Sequence, residues 1–207
     1  MEEILYKDGS LFVVIRKWLH QNDADDLYTL LDKNAKWINC SIGRDNKLYK
    51  MKREISLLGD GSHKLYPYSK IPFAVNHWDH CLNGEIKNIK EKICDDPDIS
   101  IFVKQFGDEL LDFNSCVLNK YHTGSDFISM HKDLEAQGPL HQVISLSLGI
   151  SRTFHIKKDN SFEKPIQVVL NHGDLLLMLG RAQEDYSHAI HSETVNGKRI
   201  SLTYRYI

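Results

Sequence analysis

The chain has 207 residues, of which 42% are hydrophobic and 26% are charged, and its formal net charge is −2. This composition is typical of one globular domain with a sizeable core, and it excludes nucleic-acid binding through an overall positive charge. The longest apolar runs are too short to cross a membrane, and the acidic start Met1-Glu2-Glu3 has no apolar signal segment, so we expect no membrane partner.

The first half of the chain is predicted to be mainly helical. Leu11–Ile15 is a short buried strand, and Asn22 or Asp23 caps a helix whose apolar residues follow a period of three to four. Trp37–Ile42 is predicted as a second strand. Pro72–Cys94 is predicted as a helix in two pieces, broken near Asn83-Gly84 and stopped by Pro97.

The second half changes to short strands separated by turn residues. Eight strands with no helix between them predict a jelly roll, and the full set is Ser115–Tyr121, Phe127–Asp133, Val143–Leu148, Thr153–Lys157, Ile166–Leu170, Asp174–Leu179, Tyr186–Ile190 and Arg199–Tyr206. We therefore predict an α+β fold, with a double-stranded β-helix (jelly-roll) core at 113–207 and N-terminal helices at 1–112 packed on it, as a single domain over 1–207.

The last strand has an unusual pattern. Its side chains alternate between two faces, so one face carries Ile200, Leu202 and Tyr204, and the other carries two arginines and two hydroxyls: Arg199, Ser201, Thr203 and Arg205. A solvated edge strand is one explanation. A pair of arginines that grips a small dicarboxylate is the other.

A metal-binding pattern lies in the strand region. His131 and Asp133 are two residues apart, so both face the same way, and a later histidine would complete a set of two histidines and one carboxylate. Such a set leaves coordination positions open and suits non-haem Fe(II). His188 and His191 are three positions apart, so only one of them can join the site.

These ordered motifs resemble the AlkB family of Fe(II)/2-oxoglutarate dioxygenases. The resemblance rests on Asn119-Lys120-Tyr121, on the segment from Gly124 to Asp133, on His172-Gly173-Asp174, on Tyr186-Ser187-His188 and on the terminal Arg-x-Ser-x-Thr-x-Arg. It implies that Fe(II) is bound by His131, Asp133 and His188, and that O2 is activated there. It also implies a 2-oxoglutarate pocket formed by Asn119, Tyr121, Arg199, Ser201, Thr203 and Arg205. Ser201 departs from the family, where asparagine is usual.

The resemblance also implies a nucleic-acid substrate, in DNA or RNA, from which alkyl groups on the bases are removed by oxidation. Its substrate-binding residues would be Tyr66, Tyr68, Glu135, Arg53 and Arg181, with Tyr66 or Tyr68 stacking on an extruded base. The basic segment from Arg44 to Arg53 suits a phosphate-binding groove. Two alternatives stay open: hydroxylation of a protein or small molecule, and a non-catalytic jelly-roll binding module.

The four cysteines are scattered with no CxxC pair, which is typical of reduced thiols. We therefore expect a cytoplasmic or nuclear protein, not a secreted one, and we expect it to act as a monomer.

Overall fold

The strands lie in two facing sheets, seen in a computed structural model that describes residues 2–7, 9–44, 47–62, 65–68, 71–106, 109–110, 112–134 and 141–207. Numbered along the chain, the strands of the larger sheet are in spatial order Glu2–Lys7 (β1), Ser10–Ile15 (β2), Leu175–Gly180 (β14), Val143–Gly149 (β11), Arg199–Arg205 (β16), Ser115–Tyr121 (β9), Glu54–Gly59 (β5) and Asn76–His77 (β8). All neighbours are antiparallel except β5 and β8, which are parallel. Strand β16 therefore lies in the middle of this sheet, between β11 and β9.

The smaller sheet has four antiparallel strands and packs against one face of the larger one. In spatial order they are Ile128–His131 (β10), Tyr186–Ile190 (β15), Arg152–Lys158 (β12) and Ile166–Leu170 (β13). The apolar layer between the sheets includes Phe12, Phe154, Ile156, Leu176 and Met178, all buried. The predicted jelly-roll core is thus confirmed.

Helices cover the opposite face of the larger sheet. They are Gln21–Asn34 (α1), Glu85–Cys94 (α2) and Pro97–Lys104 (α3), and each turns its apolar stripe toward the sheet. Ile200, Leu202 and Tyr204 of β16 belong to this layer, and the hydroxyl of Tyr204 donates to the carbonyl of Ile86 at 2.9 Å. The alternation of β16 is explained, because its apolar face packs on the helices and its polar face looks into the space between the sheets.

Two hairpins stand apart from both sheets. One pairs Ser41–Arg44 (β3) with Lys47–Lys50 (β4), and the other pairs Leu65–Tyr68 (β6) with Ile71–Ala74 (β7). Pro67 lies in β6 of the second hairpin, in keeping with the extended backbone that a proline favours in the residue before it. None of the helices within the described ranges combines the length and the apolar character that a bilayer crossing demands.

Several predicted elements before residue 113 were wrong. Of the strand predicted at Trp37–Ile42, Ile38 forms an isolated bridge to Ile55, and only the last two residues belong to a strand, β3. The first part of Pro72–Cys94 is extended and is followed by 3-10 turns at Trp78–His80 and Leu82–Gly84. The predicted helix end at Cys94 is confirmed, but a further helix, α3, begins at Pro97, where Asp96 accepts from the backbone N–H groups of Asp98 and Ile99. The N-cap of α1 is His20, so the helix begins at Gln21, before the predicted caps Asn22 and Asp23.

The larger sheet also continues across the boundary drawn at residue 113. Its strands β1, β2, β5 and β8 precede Phe113, and β9, β11, β14 and β16 follow it. In the strand-rich half, a four-residue helix at Ala182–Asp185 (α4) interrupts the run of strands that was predicted to contain no helix.

Candidate metal centre

Three side chains converge at one end of the smaller sheet, two from the end of β10 and one from the adjacent strand β15. His131 ends β10 and lies opposite His188 of β15, because the two are partners in the strand register. Asp133 follows two residues after β10. Its carboxylate oxygens lie 3.8 Å from Nε2 of His131 and 3.7 Å from Nε2 of His188, and one potential ligand atom from each residue lies within 4.8 Å of the others. Within the described ranges, no other trio of His, Cys, Asp or Glu donors comes together in this way.

Each of these three residues is held by a further contact. Nδ1 of His131 lies 2.9 Å from the carbonyl oxygen of Ser129, so Nδ1 carries the proton and Nε2 keeps its lone pair toward Asp133. The backbone N–H of Asp133 donates to Oε1 of the buried Gln183 at 2.8 Å. The ring of His188 stacks on Phe154, with 5.2 Å between ring centroids. The three candidate metal-binding residues are therefore held in position by contacts within the protein.

Burial and charge prepare the protonation states that a divalent cation needs. Burial lowers the pKa of His188 to about 3 and also lowers the pKa of His131. Burial alone would raise the pKa of Asp133, but the Arg205 guanidinium and the two imidazoles outweigh it and hold that pKa below its ordinary value. The site at neutral pH is therefore one carboxylate and two neutral imidazoles, which is the donor set of a non-haem Fe(II) centre.

The choice between the two late histidines is settled by position. His188 is buried beside Asp133, whereas His191 is exposed beyond the end of β15 and its ring lies 4.5 Å from that of His155, between centroids. Only His188 shares the space of His131 and Asp133.

The polar face of β16 runs past this centre. Nη2 of Arg205 donates to Oδ1 of Asp133 at 2.6 Å, and both side chains are buried. At the other end of the strand, Nη2 of Arg199 donates to Oγ of Ser147 at 2.8 Å, and the Arg199 guanidinium lies 5.4 Å from the ring centroid of Tyr121. The two arginines thus mark the near and far ends of one polar tract.

The remaining predicted pocket residues line the same tract. Ser201 lies between Asn119 of β9 and Ser147 of β11 in the strand register. The hydroxyl groups of Thr203 and Ser145 are 3.3 Å apart. Asn119, Tyr121, Ser201 and Thr203 are all buried. The structure therefore brings the six predicted co-substrate residues onto one face of two adjacent strands, β9 and β16.

Arg199 is a buried cation of this tract that an incoming anion could pair with. It is 2% exposed, its Nε has no hydrogen-bond partner, and it forms no ion pair with any residue that the structure describes. Burial, followed by the charge of Arg152, lowers its pKa. Because a buried guanidinium without a counter-charge is costly, the tract fits a ligand that brings a carboxylate.

The predicted substrate residues are less closely gathered. Arg53 is buried and its Nε donates to Oδ1 of Asn119 at 2.8 Å, so it contacts the co-substrate tract. Arg181 is exposed and is held by Glu184 and by both oxygens of Asp185. Arg181 precedes α4, which carries Gln183.

The other predicted substrate residues are two tyrosines and one glutamate. Tyr66 and Tyr68 lie on β6, but their side chains fall outside the described part of the chain. Glu135 itself lies outside the described residues.

Two contributors to the site were not anticipated from the sequence. Ser147 accepts from Arg199, and its alternation with Ser145 on β11 was a signal that was available. Gln183 holds the backbone of Asp133 from a loop helix 50 residues away, and no local pattern indicates that contact.

Comparison with known proteins identifies the family. The model of the 2OG-Fe(II) oxygenase superfamily matches residues 11–205. The chain belongs to this superfamily. Members of this superfamily use Fe(II), 2-oxoglutarate and O2, and the grouped His131, Asp133 and His188 fit an iron site. The predicted cofactors are therefore confirmed at the level of the family.

Individual relatives of this 2OG-Fe(II) oxygenase confirm the resemblance to AlkB proteins. It is 28% identical over 194 residues to the alpha-ketoglutarate-dependent dioxygenase alkB homolog 3 of Bos taurus, covering 88% of this chain and 61% of the relative. It is 26% identical over 223 residues to the DNA oxidative demethylase ALKBH2 of Arabidopsis thaliana, covering 96% of this chain and 67% of the relative. The chain thus spans about three fifths of the length of the Bos taurus relative.

Solved structures show the same fold. OsALKBH1 superposes with a TM-score of 0.65 at 21% identity and covers 99% of this chain and 100% of that one. A 2OG-Fe(II) oxygenase family oxidoreductase from Burkholderia pseudomallei superposes with a TM-score of 0.62 at 14% identity, covering 95% of this chain and 84% of that one.

Proposed function

We propose that this 2OG-Fe(II) oxygenase is a dioxygenase that removes alkyl groups from nucleobases by oxidation. The observation that carries the proposal is the coexistence of two features in one pocket. One is the trio His131, Asp133 and His188, and the other is the buried polar face of β16, with Arg205 on Asp133 and Arg199 at the far end. A non-catalytic binding module has no need of either feature.

His131, Asp133 and His188 would hold Fe(II) through neutral imidazole nitrogens and a carboxylate oxygen. When bound, Fe(II) and 2-oxoglutarate supply the oxidation: 2-oxoglutarate and O2 become succinate and CO2, and the alkyl group is hydroxylated and leaves as an aldehyde. The protein's contribution is placement and exclusion of water.

Each nearby residue has a role in that placement. Arg205 binds Oδ1 of Asp133 and so keeps the carboxylate ionised and fixed in orientation. Arg199 would pair with the distal carboxylate of 2-oxoglutarate, which would supply the negative charge that its surroundings in the described structure do not. Ser147 holds the Arg199 guanidinium by accepting one of its hydrogen bonds, which leaves other N–H groups for the ligand.

The substrate would approach over the hairpins that stand outside the two sheets. In the proposed arrangement, the chain is a single domain in which the β6–β7 hairpin, within the part before Phe113, forms a nucleotide-recognition lid and carries Tyr66 and Tyr68 for stacking on the base. Lys50, at the end of β4, and Lys52, just after it, are exposed and suit phosphate contacts. The four cysteines are all free, in keeping with a reducing cytoplasmic or nuclear compartment where nucleic acid is present.

The experiment that tests this function is a product assay. The protein is incubated with Fe(II), 2-oxoglutarate, ascorbate and matched DNA and RNA oligonucleotides that carry single methylated bases, and the products are read by mass spectrometry. Loss of the methyl group with one succinate formed per event is the expected result. Asp133→Asn is the control, because it removes the anionic ligand at nearly constant volume.

Two other outcomes would decide against the proposed substrate. Succinate formation that no oligonucleotide stimulates, but that a peptide or small molecule does, would assign the chain to hydroxylation of that class. A protein that binds neither Mn(II) nor 2-oxoglutarate would be a non-catalytic module.

A further inference from the structure

Arg152 is a fully buried arginine that none of the site assignments uses. It begins β12 in the smaller sheet, and its side chain has no solvent exposure. Its two terminal nitrogens reach four backbone carbonyl oxygens, those of Thr123 at 3.3 Å, Gly124 at 3.2 Å, Asp126 at 2.9 Å and His191 at 2.6 Å. Only the planar fork of a guanidinium offers enough donors for such a set.

These carbonyls belong to the two loops that join the metal strands to the co-substrate strands. Residues 122–127 connect β9, which carries Tyr121, to β10, which carries His131. Residues 191–198 connect β15 to β16. The loops also bond directly, since the N–H of Gly124 donates to Val195 and the N–H of Glu193 donates to Gly124.

The approach of the loops is close enough to require glycine at position 124. A Cβ there would lie 2.1 Å from the carbonyl oxygen of Glu193. Arg152 thus holds the two loops together at the point where they meet.

The same guanidinium also flanks a predicted co-substrate residue. Its Cζ lies 5.6 Å from the ring centroid of Tyr121, and Cζ of Arg199 lies 5.4 Å from the same ring. Both distances are within the range of cation–π attraction. Tyr121 is therefore contacted by two cations, one of which is the arginine that faces the pocket.

The charges of this cluster do not balance. Nε of Arg152 lies 3.6 Å from Oε2 of Glu193, and that is the ion pair of the cluster. In the part of the chain that the structure describes, two guanidinium groups therefore share one carboxylate. An incoming carboxylate restores the balance.

We propose that Arg152 is a positioning residue for the distal end of the 2-oxoglutarate pocket. It fixes Tyr121 and the two loops, and its charge adds to that of Arg199 in retaining the distal carboxylate. This inference rests on the proposed function, because it takes 2-oxoglutarate as the ligand of Arg199. It predicts that Arg152 controls co-substrate affinity without touching the metal or the alkylated base.

The test compares Arg152→Lys with Lys157→Met, a charge removal on an exposed position of the same strand. The affinity for 2-oxoglutarate is measured by calorimetry with Mn(II) bound, and Mn(II) affinity is measured separately by electron paramagnetic resonance. Arg152→Lys keeps the charge but loses the four-carbonyl contact, so we expect Kd for 2-oxoglutarate to rise about tenfold, equivalent to about 1.4 kcal/mol. Mn(II) affinity should stay at the wild-type level, and Lys157→Met should match the wild type throughout.

A second variant guards against a failure of Arg152→Lys to fold. Glu193→Gln keeps an acceptor for the backbone N–H of Thr153 but removes the carboxylate that offsets the two guanidinium groups. Its Kd for 2-oxoglutarate should fall below that of the wild type.

Three results are distinguishable. Arg152→Lys that melts earlier but binds 2-oxoglutarate as tightly as the wild type would make Arg152 purely structural and would overturn the inference. An unchanged or raised Kd in Glu193→Gln would overturn it as well. A wild-type protein that binds Mn(II) but no 2-oxoglutarate would refute the proposed function instead.

Discussion

Replacing Arg199 with alanine should remove most of the stabilisation that 2-oxoglutarate gives to the folded protein. Arg199 is 2% exposed and its hydrogen-bond partner is the hydroxyl of Ser147, so the native state without ligand contains a buried cation that lacks an anion. A ligand that binds only the folded state stabilises it by mass action. The substitution therefore deletes the contact between the guanidinium of Arg199 and a carboxylate of 2-oxoglutarate.

The size of the effect follows from these contacts. At a ligand concentration of 100 times Kd, the wild type gains about 2.7 kcal/mol, which for a protein of this size raises Tm by about 5–10 °C. A hydrogen bond to a charged group contributes about 1.5–3 kcal/mol, so its loss raises Kd by about 10–150-fold. At the same ligand concentration, Arg199→Ala then gains about 0.3–1.4 kcal/mol, and the shift in Tm falls to about 1–5 °C.

A thermal-shift titration with Mn(II) in place of Fe(II) measures this without turnover. Arg199→Lys serves as the intermediate case, because an ammonium keeps the charge but not the guanidinium fork. Lys157→Met on β12 serves as the control for removing a positive charge away from the pocket. The reasoning would be refuted if 2-oxoglutarate protected Arg199→Ala as strongly as it protects the wild type.

Three further predictions concern the metal centre. Asp133→Asn should weaken Mn(II) binding by more than about 100-fold, since changes outside the ligand shell alone cost about 10–100-fold. The amide can still accept from Arg205, whereas Asp133→Ala removes the partner of a buried ion pair and should also destabilise the metal-free protein by about 3–5 kcal/mol in urea unfolding. His188→Ala should abolish Mn(II) binding measured by electron paramagnetic resonance and His191→Ala should leave it intact, and equal losses would contradict the placement of His188. The pKa of His188 is lowered to about 3, so between pH 6.5 and 3 the unfolded chain binds a proton at this residue that the folded chain does not. The free energy of unfolding of the metal-free protein should therefore fall as the pH decreases through this window, by up to about 1.4 kcal/mol per pH unit for this group. In His188→Asn the free energy of unfolding should depend less steeply on pH.

Local patterns in the sequence were sufficient for the strand-rich half of the chain. Ile166–Leu170 and Tyr186–Ile190 were predicted with their observed bounds, because turn residues and a period of two act over a few neighbouring positions. The two faces of β16 were also separated correctly, since alternation along a strand needs no knowledge of its partners.

The half before Phe113 was harder to predict for a physical reason. Glu54–Gly59 is a strand because it pairs with β9, 60 residues later, and the segment before Gly84 is extended or in short turns because it packs at the edge of the same sheet. Its own sequence has no clear period, so the tertiary environment overrides local preference.

The sequence by itself determined the chemistry of the site: an HxD pair, a later histidine and two arginines of equal parity on the last strand. Spacing alone left His188 and His191 open, and the family resemblance implied His188. The tertiary structure gives the physical reason, because the register of β10 against β15 places His188 opposite His131 and leaves His191 outside. The contacts of Arg205 with Asp133, of Gln183 with Asp133 and of Arg152 with two loops link residues 26 to 72 positions apart. Such contacts depend on how the two sheets face each other, which no local pattern of side chains encodes.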